Sequence, residues 1–252
     1  MRREQSTMWS NCSRMGDDEL RPSTLYRRHA LAVRVTHWVN AVALTLLLMS
    51  GLQIFNAHPN LYWGDSSYTG QPPLLQTDGF PSWITVPSNQ WLAMGRRWHL
   101  FFAWVLVVNG VTYLTYSIAS RHLSRDLGIT STDWRSIGRS FAEHLRLHRP
   151  HGDEARHYNV LQKLTYLAVI FGLLPLMIIT GMAMSPGLDS LWPGWVDVLG
   201  GRQSARTLHF ITAWLLVLFA MIHVFEVLVT GFWNNLRSMI TGRYRITTGA
   251  DS

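Results

Sequence analysis

The sequence predicts an all-α protein, a polytopic membrane four-helix bundle with both termini cytoplasmic. Three observations carry that expectation. Four apolar runs of twenty or more residues lie near 35–55, 98–119, 164–184 and 207–231, each long enough to cross a bilayer as a helix. Together they hold one charged side chain, Glu226, whereas a soluble core helix would show a polar stripe at the helical period. The basic residues also segregate by connection. Seven arginines fall in residues 1–34, eight basic residues in 121–163 and three after Gly231, while the other two connections hold only Arg96 and Arg97, then Arg202 and Arg206. The positive-inside rule therefore places both ends and the middle connection in the cytoplasm. Topology thus accounts for the net charge of +7 without a nucleic-acid partner; the expected surroundings are membrane lipid.

Taken in order, residues 1–34 form a polar cytoplasmic segment of mixed charge ahead of a membrane domain at 35–232. The first run lacks a small-residue cleavage site, so it reads as a retained span and not a signal peptide. Cys12 is the only cysteine, which excludes an intramolecular disulfide, a four-cysteine iron-sulfur site and the CxxCH attachment of c-type haem. The connection 56–95 is rich in Pro, Gly, Trp and Tyr (HPNLYWGDSSYTGQPP, GFPSWITVP). It is expected outside, as a docking surface or as an ordered interfacial loop. In the next connection, Trp134, Ile137, Phe141 and Leu145 recur at helical spacing among arginines, which predicts a helix on the inner surface. His144, His148 and His151 there read as solvated, because no carboxylate or cysteine completes a metal shell. Pro175 predicts a kink in the third span. The tail at 233–252 continues an aromatic and basic stretch, FWNNLRSMITGRYR, of interfacial character. No internal repeat stands out.

Of eleven histidines, only His37, His99, His209 and His223 fall in or at the ends of apolar spans, where such groups are costly and point to function. Fourteen residues of helix rise about 21 Å and return nearly to the same face, so His209 and His223 share a face near opposite ends of the fourth span. Topology puts His37 level with His223 on the inner side and His99 level with His209 on the outer side. Paired neutral imidazoles on facing helices suit the two axial positions of a haem iron. The alternative is that each hydrogen-bonds a carbonyl or serine of a neighbouring helix. Gly51 and Gly110, nearly in register with His37 and His99, would let a porphyrin approach the backbone or would serve as small-residue helix contacts. Arg34, Arg96, Arg97 and Arg206 precede the histidines closely and are candidates for haem propionates, with Arg34 equally a topology charge.

These motifs carry a resemblance. VTHWVNA at His37, RRWH at His99, and TLHF with IHVFE on the fourth span resemble the bacterial cytochrome b561 superfamily, which includes the b-type cytochrome subunits of hydrogenases and formate dehydrogenase. SGLQIFNAHPNLYWG, YNVLQKLTYLAVI, GGRQSARTLHF and GFWNNLRSMITGRY are most similar to its thiosulfate reductase cytochrome b branch. The resemblance implies two non-covalent b haems, held by His37 with His223 and by His99 with His209, in the bacterial inner membrane. It implies electron exchange between quinone or quinol and a periplasmic oxidoreductase, of molybdopterin type in this branch. Quinone would bind near the start of the third span, with His157, Asn159 and Gln162 as candidates for its carbonyls and Glu226 as orienter of His223 or proton relay. Two other readings stay open: a stand-alone quinol-oxidising cytochrome with a small acceptor, and a membrane transporter or anchor.

Overall fold

The computed structural model describes residues 23–66, 72–88, 91–121, 160–192 and 194–247. Four helices are long and apolar enough to cross a membrane: α1 Leu31–Asn56, α2 Leu92–Ala119, α3 Val160–Ala183 and α4 Arg202–Thr241. The chain is therefore a mostly helical, multi-pass membrane protein. Each helix outruns its apolar segment at one or both ends. Arg96 and Arg97, exposed at the start of α2, continue the backbone hydrogen-bonded ladder past the apolar core with their heads in water, while Arg202 and Arg206 at the start of α4 donate to backbone carbonyls of neighbouring segments. The inner-surface helix expected around Trp134, and with it His144, His148 and His151, lies outside the described residues.

The expected kink at Pro175 takes the form of a π turn, Val169–Leu173, just before the proline. The N–H of Leu174 reaches back to the carbonyl of Val169. One extra residue in the turn absorbs the donor that proline lacks without ending the helix. Gly231 marks the expected end of the fourth span. It takes φ 118° and ψ 83°, a backbone conformation open to glycine and costly to other residues, and it breaks α4 ahead of a last segment, 232–241.

The helices form two hairpins. α1 and α2 pack along their length, whereas α4 packs on α3 and meets α1 at few points. Where α1 crosses α2, a Cβ on Gly95 would stand 2.8 Å from Gln53 Cγ, so only glycine permits that approach. Deeper in the same pair, the buried Asn109 amide donates to the Thr36 carbonyl at 2.8 Å and to Asn40 Oδ1 at 2.7 Å. The Asn109 and Asn40 side-chain amides are polar groups that would go unsatisfied in lipid.

Two short antiparallel ribbons add to the helical expectation, one at each end of the bundle. At the end where α1 finishes and α4 starts (the loop end), β2 Asn60–Leu61 pairs with β3 Leu75–Gln76. This connection is stitched down. The Asn56 amide accepts from the Phe80 N–H at 2.7 Å and donates to its carbonyl at 2.8 Å. From α4, Thr207 donates to the Tyr62 carbonyl at 2.7 Å, and Ser204 accepts the Gly64 N–H at 2.8 Å. Phe55 of α1 stacks on Phe210 of α4 with ring centres 4.8 Å apart. At the opposite, terminal end, β1 Ser23–Arg27 pairs with β4 Arg243–Thr247, so the two ends of the described chain clasp one another.

Candidate functional site

The four span histidines come together as two pairs. His99 of α2 faces His209 of α4 at the loop end, with ring centres 6.1 Å apart and planes at 64°. His37 of α1 faces His223 of α4 at the terminal end, at 6.2 Å and 56°. Two imidazoles bound on opposite sides of one metal, each nitrogen ~2 Å from it, have ring centres roughly 6 Å apart. Both pairs have that spacing, and the four-turn separation of His209 and His223 along α4 sets them about 21 Å apart in depth. Among the described residues, no cluster of three or more His, Cys, Asp or Glu could hold a bare metal ion. Pairs of imidazole fit haem iron, whose other four positions the porphyrin fills.

At the loop end the surroundings settle which nitrogen is available. Nδ1 of His99 lies 3.1 Å from the Leu47 carbonyl and 3.1 Å from Ser50 Oγ. The Ser50 hydroxyl itself donates to the Leu46 carbonyl at 2.6 Å. A carbonyl only accepts, so the proton sits on Nδ1 and the Nε2 lone pair is left to bind a metal. His209 repeats the arrangement on α3. Its Nδ1 lies 3.0 Å from Thr180 Oγ1, whose hydroxyl donates to the Leu176 carbonyl at 2.7 Å, and the Met177 carbonyl is a further backbone partner of the ring. The glycine after each hydroxyl residue makes space for the ring. A Cβ on Gly51 would stand 3.3 Å from His99 Cε1, and one on Gly181 3.2 Å from His209 Cε1.

Ser50, Thr180 and Gly181 escaped the sequence reading, although the signal was present. LLLMSG at 46–51 and LMIITG at 176–181 are one six-residue pattern, and the helical period places its first two carbonyls, its hydroxyl and its glycine on one face. The group that the missing Cβ of Gly51 admits is the His99 ring. Around Gly110 nothing lies within 4 Å of a Cβ position.

The terminal-end pair is held differently. His37 Nδ1 is buried and has no hydrogen-bond partner among the described residues. Its ring meets Trp38 edge-on at 5.3 Å. His223 stacks on Phe219, one turn before it, at 5.9 Å and 21°. Tyr166 of α3 meets it edge-on at 6.5 Å, which brings the first turns of α3 to this pair. Glu226, half-buried and one turn beyond, acts on His223 electrostatically. Gln162 stands half-buried one turn before Tyr166, while His157 and Asn159 lie outside the described residues.

The arginines divide. Arg96 and Arg97 are exposed at the loop end. Arg206 donates to the His58 and Asn60 carbonyls and lies over the Phe55 ring at 5.5 Å, so part of its guanidinium is used to hold the connection against α4. Arg34 donates to the Ile240 carbonyl, part of the terminal clasp. Just outside the span, His58 stacks on Tyr62 at 5.8 Å and 9°. Partial burial, with the Arg206 charge second, holds its pKa below the ordinary histidine value.

A profile of the family described as prokaryotic cytochrome b561 matches residues 28–242. The chain is similar to a protein of Azospira oryzae assigned as a protein-methionine-sulfoxide reductase subunit, YedZ1, at 31% identity over 202 residues, covering 79% of this chain and 89% of that protein. It is also similar to assigned Ni/Fe-hydrogenase B-type cytochrome subunits. The one from Cupriavidus necator is 24% identical over 223 residues, with 83% of each chain covered. The one from Rhodobacter capsulatus is 27% identical over 237 residues, covering 88% of this chain and 81% of that protein.

Proposed function

This chain belongs to the prokaryotic cytochrome b561 family, and we propose that this membrane b-type cytochrome holds two b haems and carries electrons between the quinone pool and an oxidoreductase partner. The observation that carries the reading is the pair of pairs: two imidazole couples at 6.1 and 6.2 Å, at two depths, on facing helices. Each bound haem supplies a one-electron site whose potential depends on its ligands, its burial and nearby charge. His99 and His209 hold one through Nε2; His37 and His223 hold the other. Gly110, open on its Cβ side, admits a porphyrin edge beside α2.

The terminal end is the cytoplasmic one on the positive-inside argument, in the inner membrane of a bacterium. There the start of α3 offers Gln162 and Tyr166, with His157 and Asn159 next to them in sequence, as hydrogen-bond partners for a quinone. Glu226, acting on His223, is the group placed to orient that ring or to pass a proton. At the periplasmic end the connection pinned by Asn56, Ser204 and Arg206 supplies the face on which a partner docks. Arg96 and Arg97, exposed there, are the arginines best placed for propionates, whereas Arg206 holds the connection against α4. Relatives assigned to hydrogenase and to methionine sulfoxide reductase favour an oxidoreductase partner; the molybdopterin type follows from the resemblance of the sequence motifs.

The test is a dithionite-reduced minus oxidised visible spectrum of detergent-purified protein, with haem and protein quantified on one sample. The expected result is two low-spin b haems per chain. His99→Ala and His209→Ala should each remove one of them, and His37→Ala and His223→Ala the other. A folded, membrane-inserted protein without haem would overturn the reading and restore transport or anchoring as its function.

A further inference from the structure

The clasp at the terminal end carries a charge arrangement that the electron-transfer reading does not use. In the β1–β4 ribbon, Arg27 stands directly opposite Arg243, and Arg245 opposite Leu25. Opposed residues of an antiparallel pair share a face, as do alternate residues along one strand. Leu25, Arg27, Arg243 and Arg245 therefore form one face, and all four are exposed. The other face holds Tyr26 opposite Tyr244, with Arg28 over the Tyr244 ring at 4.8 Å.

Like charges placed directly opposite oppose pairing, so the ribbon needs something to hold it and something to neutralise it. The first is visible. The Asn234 side chain grips the Arg245 backbone at both its N–H (2.9 Å) and its carbonyl (2.8 Å). The Arg28 N–H donates to the Gly242 carbonyl at 2.9 Å, and Trp38 Nε1 to the Met239 carbonyl at 3.2 Å. Gly242 takes φ 81°, and a Cβ there would stand 3.0 Å from the His29 carbonyl, so the clasp closes only around glycine. Among the described residues, these strands and the helix ends beside them carry no counter-charge. The sequence has no Asp or Glu from Ser23 to Gly64, nor from Val227 to Arg245.

Depth identifies the anion. α1 begins at Leu31, four residues after Arg27, and its apolar run follows at once. Trp38, Trp233 and Ile240, all exposed, stand around the clasp as interfacial anchors do. The arginine face thus lies at headgroup level, where lipid phosphates are the concentrated anions. A guanidinium matches a phosphate through two parallel N–H donors.

We propose that Arg27, Arg243 and Arg245 form a binding face for anionic phospholipid headgroups, fixing the clasp on the membrane surface. The test uses full-length, delipidated protein in neutral detergent, titrated with phosphatidylglycerol or with phosphatidylcholine and read by native mass spectrometry. Wild type should retain phosphatidylglycerol in roughly tenfold or greater preference. An Arg27→Gln, Arg243→Gln, Arg245→Gln triple variant should bring that ratio near one, while Lys at the same three positions keeps most of it. Helix content and haem spectrum report whether each variant is folded. Should the Gln variant fail to fold, wild type alone decides, since its preference must fall steeply between low and high salt. Equal retention of the two lipids by wild type, a preference insensitive to salt, or a folded Gln variant that keeps the preference would each overturn the proposal. Displacement of phosphatidylglycerol by equimolar inorganic phosphate would reduce the face to a simple anion site and overturn its assignment to lipid.

Discussion

At the loop end both imidazoles are backed by a carbonyl and a hydroxyl from a neighbouring helix, Leu47 with Ser50 on α1 and Met177 with Thr180 on α3. At the terminal end His37 Nδ1 has no such partner among the described residues, and His223 rests on Phe219 and Tyr166 within reach of the Glu226 charge. Ring spacing is nearly the same in the two pairs. The difference lies in what sets ring orientation and basicity: fixed hydrogen bonds at one end, aromatic packing and the Glu226 carboxyl at the other. A ligand whose far N–H donates to a carbonyl becomes a stronger electron donor to its metal. A lower potential is therefore expected for the loop-end haem than for the terminal-end haem.

The largest effect should come from closing the space that the loop-end rings occupy. Gly181→Val and Gly51→Val would each drive side-chain atoms against a ring that already stands 3.2 or 3.3 Å from a Cβ position. Each is expected to eliminate loop-end haem and leave the terminal-end haem bound, seen as half the haem per protein and loss of the lower midpoint. Gly110→Leu sharpens the contrast, because the protein itself offers no obstacle within 4 Å there. Haem loss in that variant would mean that a porphyrin edge uses the space; full haem content would remove Gly110 from the site.

Next in size is the carboxyl. Glu226→Gln removes the carboxyl that acts electrostatically on His223, so the terminal-end midpoint should rise while the loop-end midpoint stays put. Smaller again are the hydroxyls. Ser50→Ala or Thr180→Ala removes one of two acceptors at a ring. A neutral hydrogen bond of about 1 kcal/mol corresponds to roughly 40 mV in a one-electron couple, which bounds the upward shift of the loop-end midpoint. Ser50→Thr and Thr180→Ser should restore it. A shift of both midpoints together in a potentiometric titration would mean that the two pairs are not independent and would break the comparison.

Much of this was legible in the sequence because the membrane limits the options. Apolar runs fixed the four helices, and arginine placement fixed which histidines share a depth; the observed pairs are those that depth alone predicts. What escaped notice was local and required a second helix. Ser50 and Thr180 read as ordinary small residues in apolar runs until His99 and His209 are placed against them. The ribbon of Ser23–Arg27 with Arg243–Thr247 joins segments more than two hundred residues apart, and the five-residue alternation of RYRIT names no partner strand. The backbone carbonyls that Arg34 and Arg206 reach belong to distant segments, so those contacts cannot be read from the residues beside them in sequence.

The smallest expected effect lies at the edge of the loop-end site and asks whether the connection and the pair below it are coupled. His58 has a pKa lowered by partial burial and by Arg206, whose guanidinium also binds the His58 carbonyl. The folded state therefore binds fewer protons there than the unfolded state does. Stability from this group is fully present above the ordinary histidine pKa and is lost as pH falls below it toward the depressed value. Protonation sets an imidazolium beside Arg206, so the connection should loosen as pH falls below the ordinary histidine value of about 6.5. Limited proteolysis within 57–90 should accelerate over that window in wild type and change less in His58→Asn. If the loop-end midpoint shifts in the same window and His58→Asn abolishes that shift, the stitched connection and the His99–His209 pair behave as one unit. If proteolysis responds and the midpoint does not, the hydrogen bonds from Ser50 and Thr180 hold the rings independently of the cap above them.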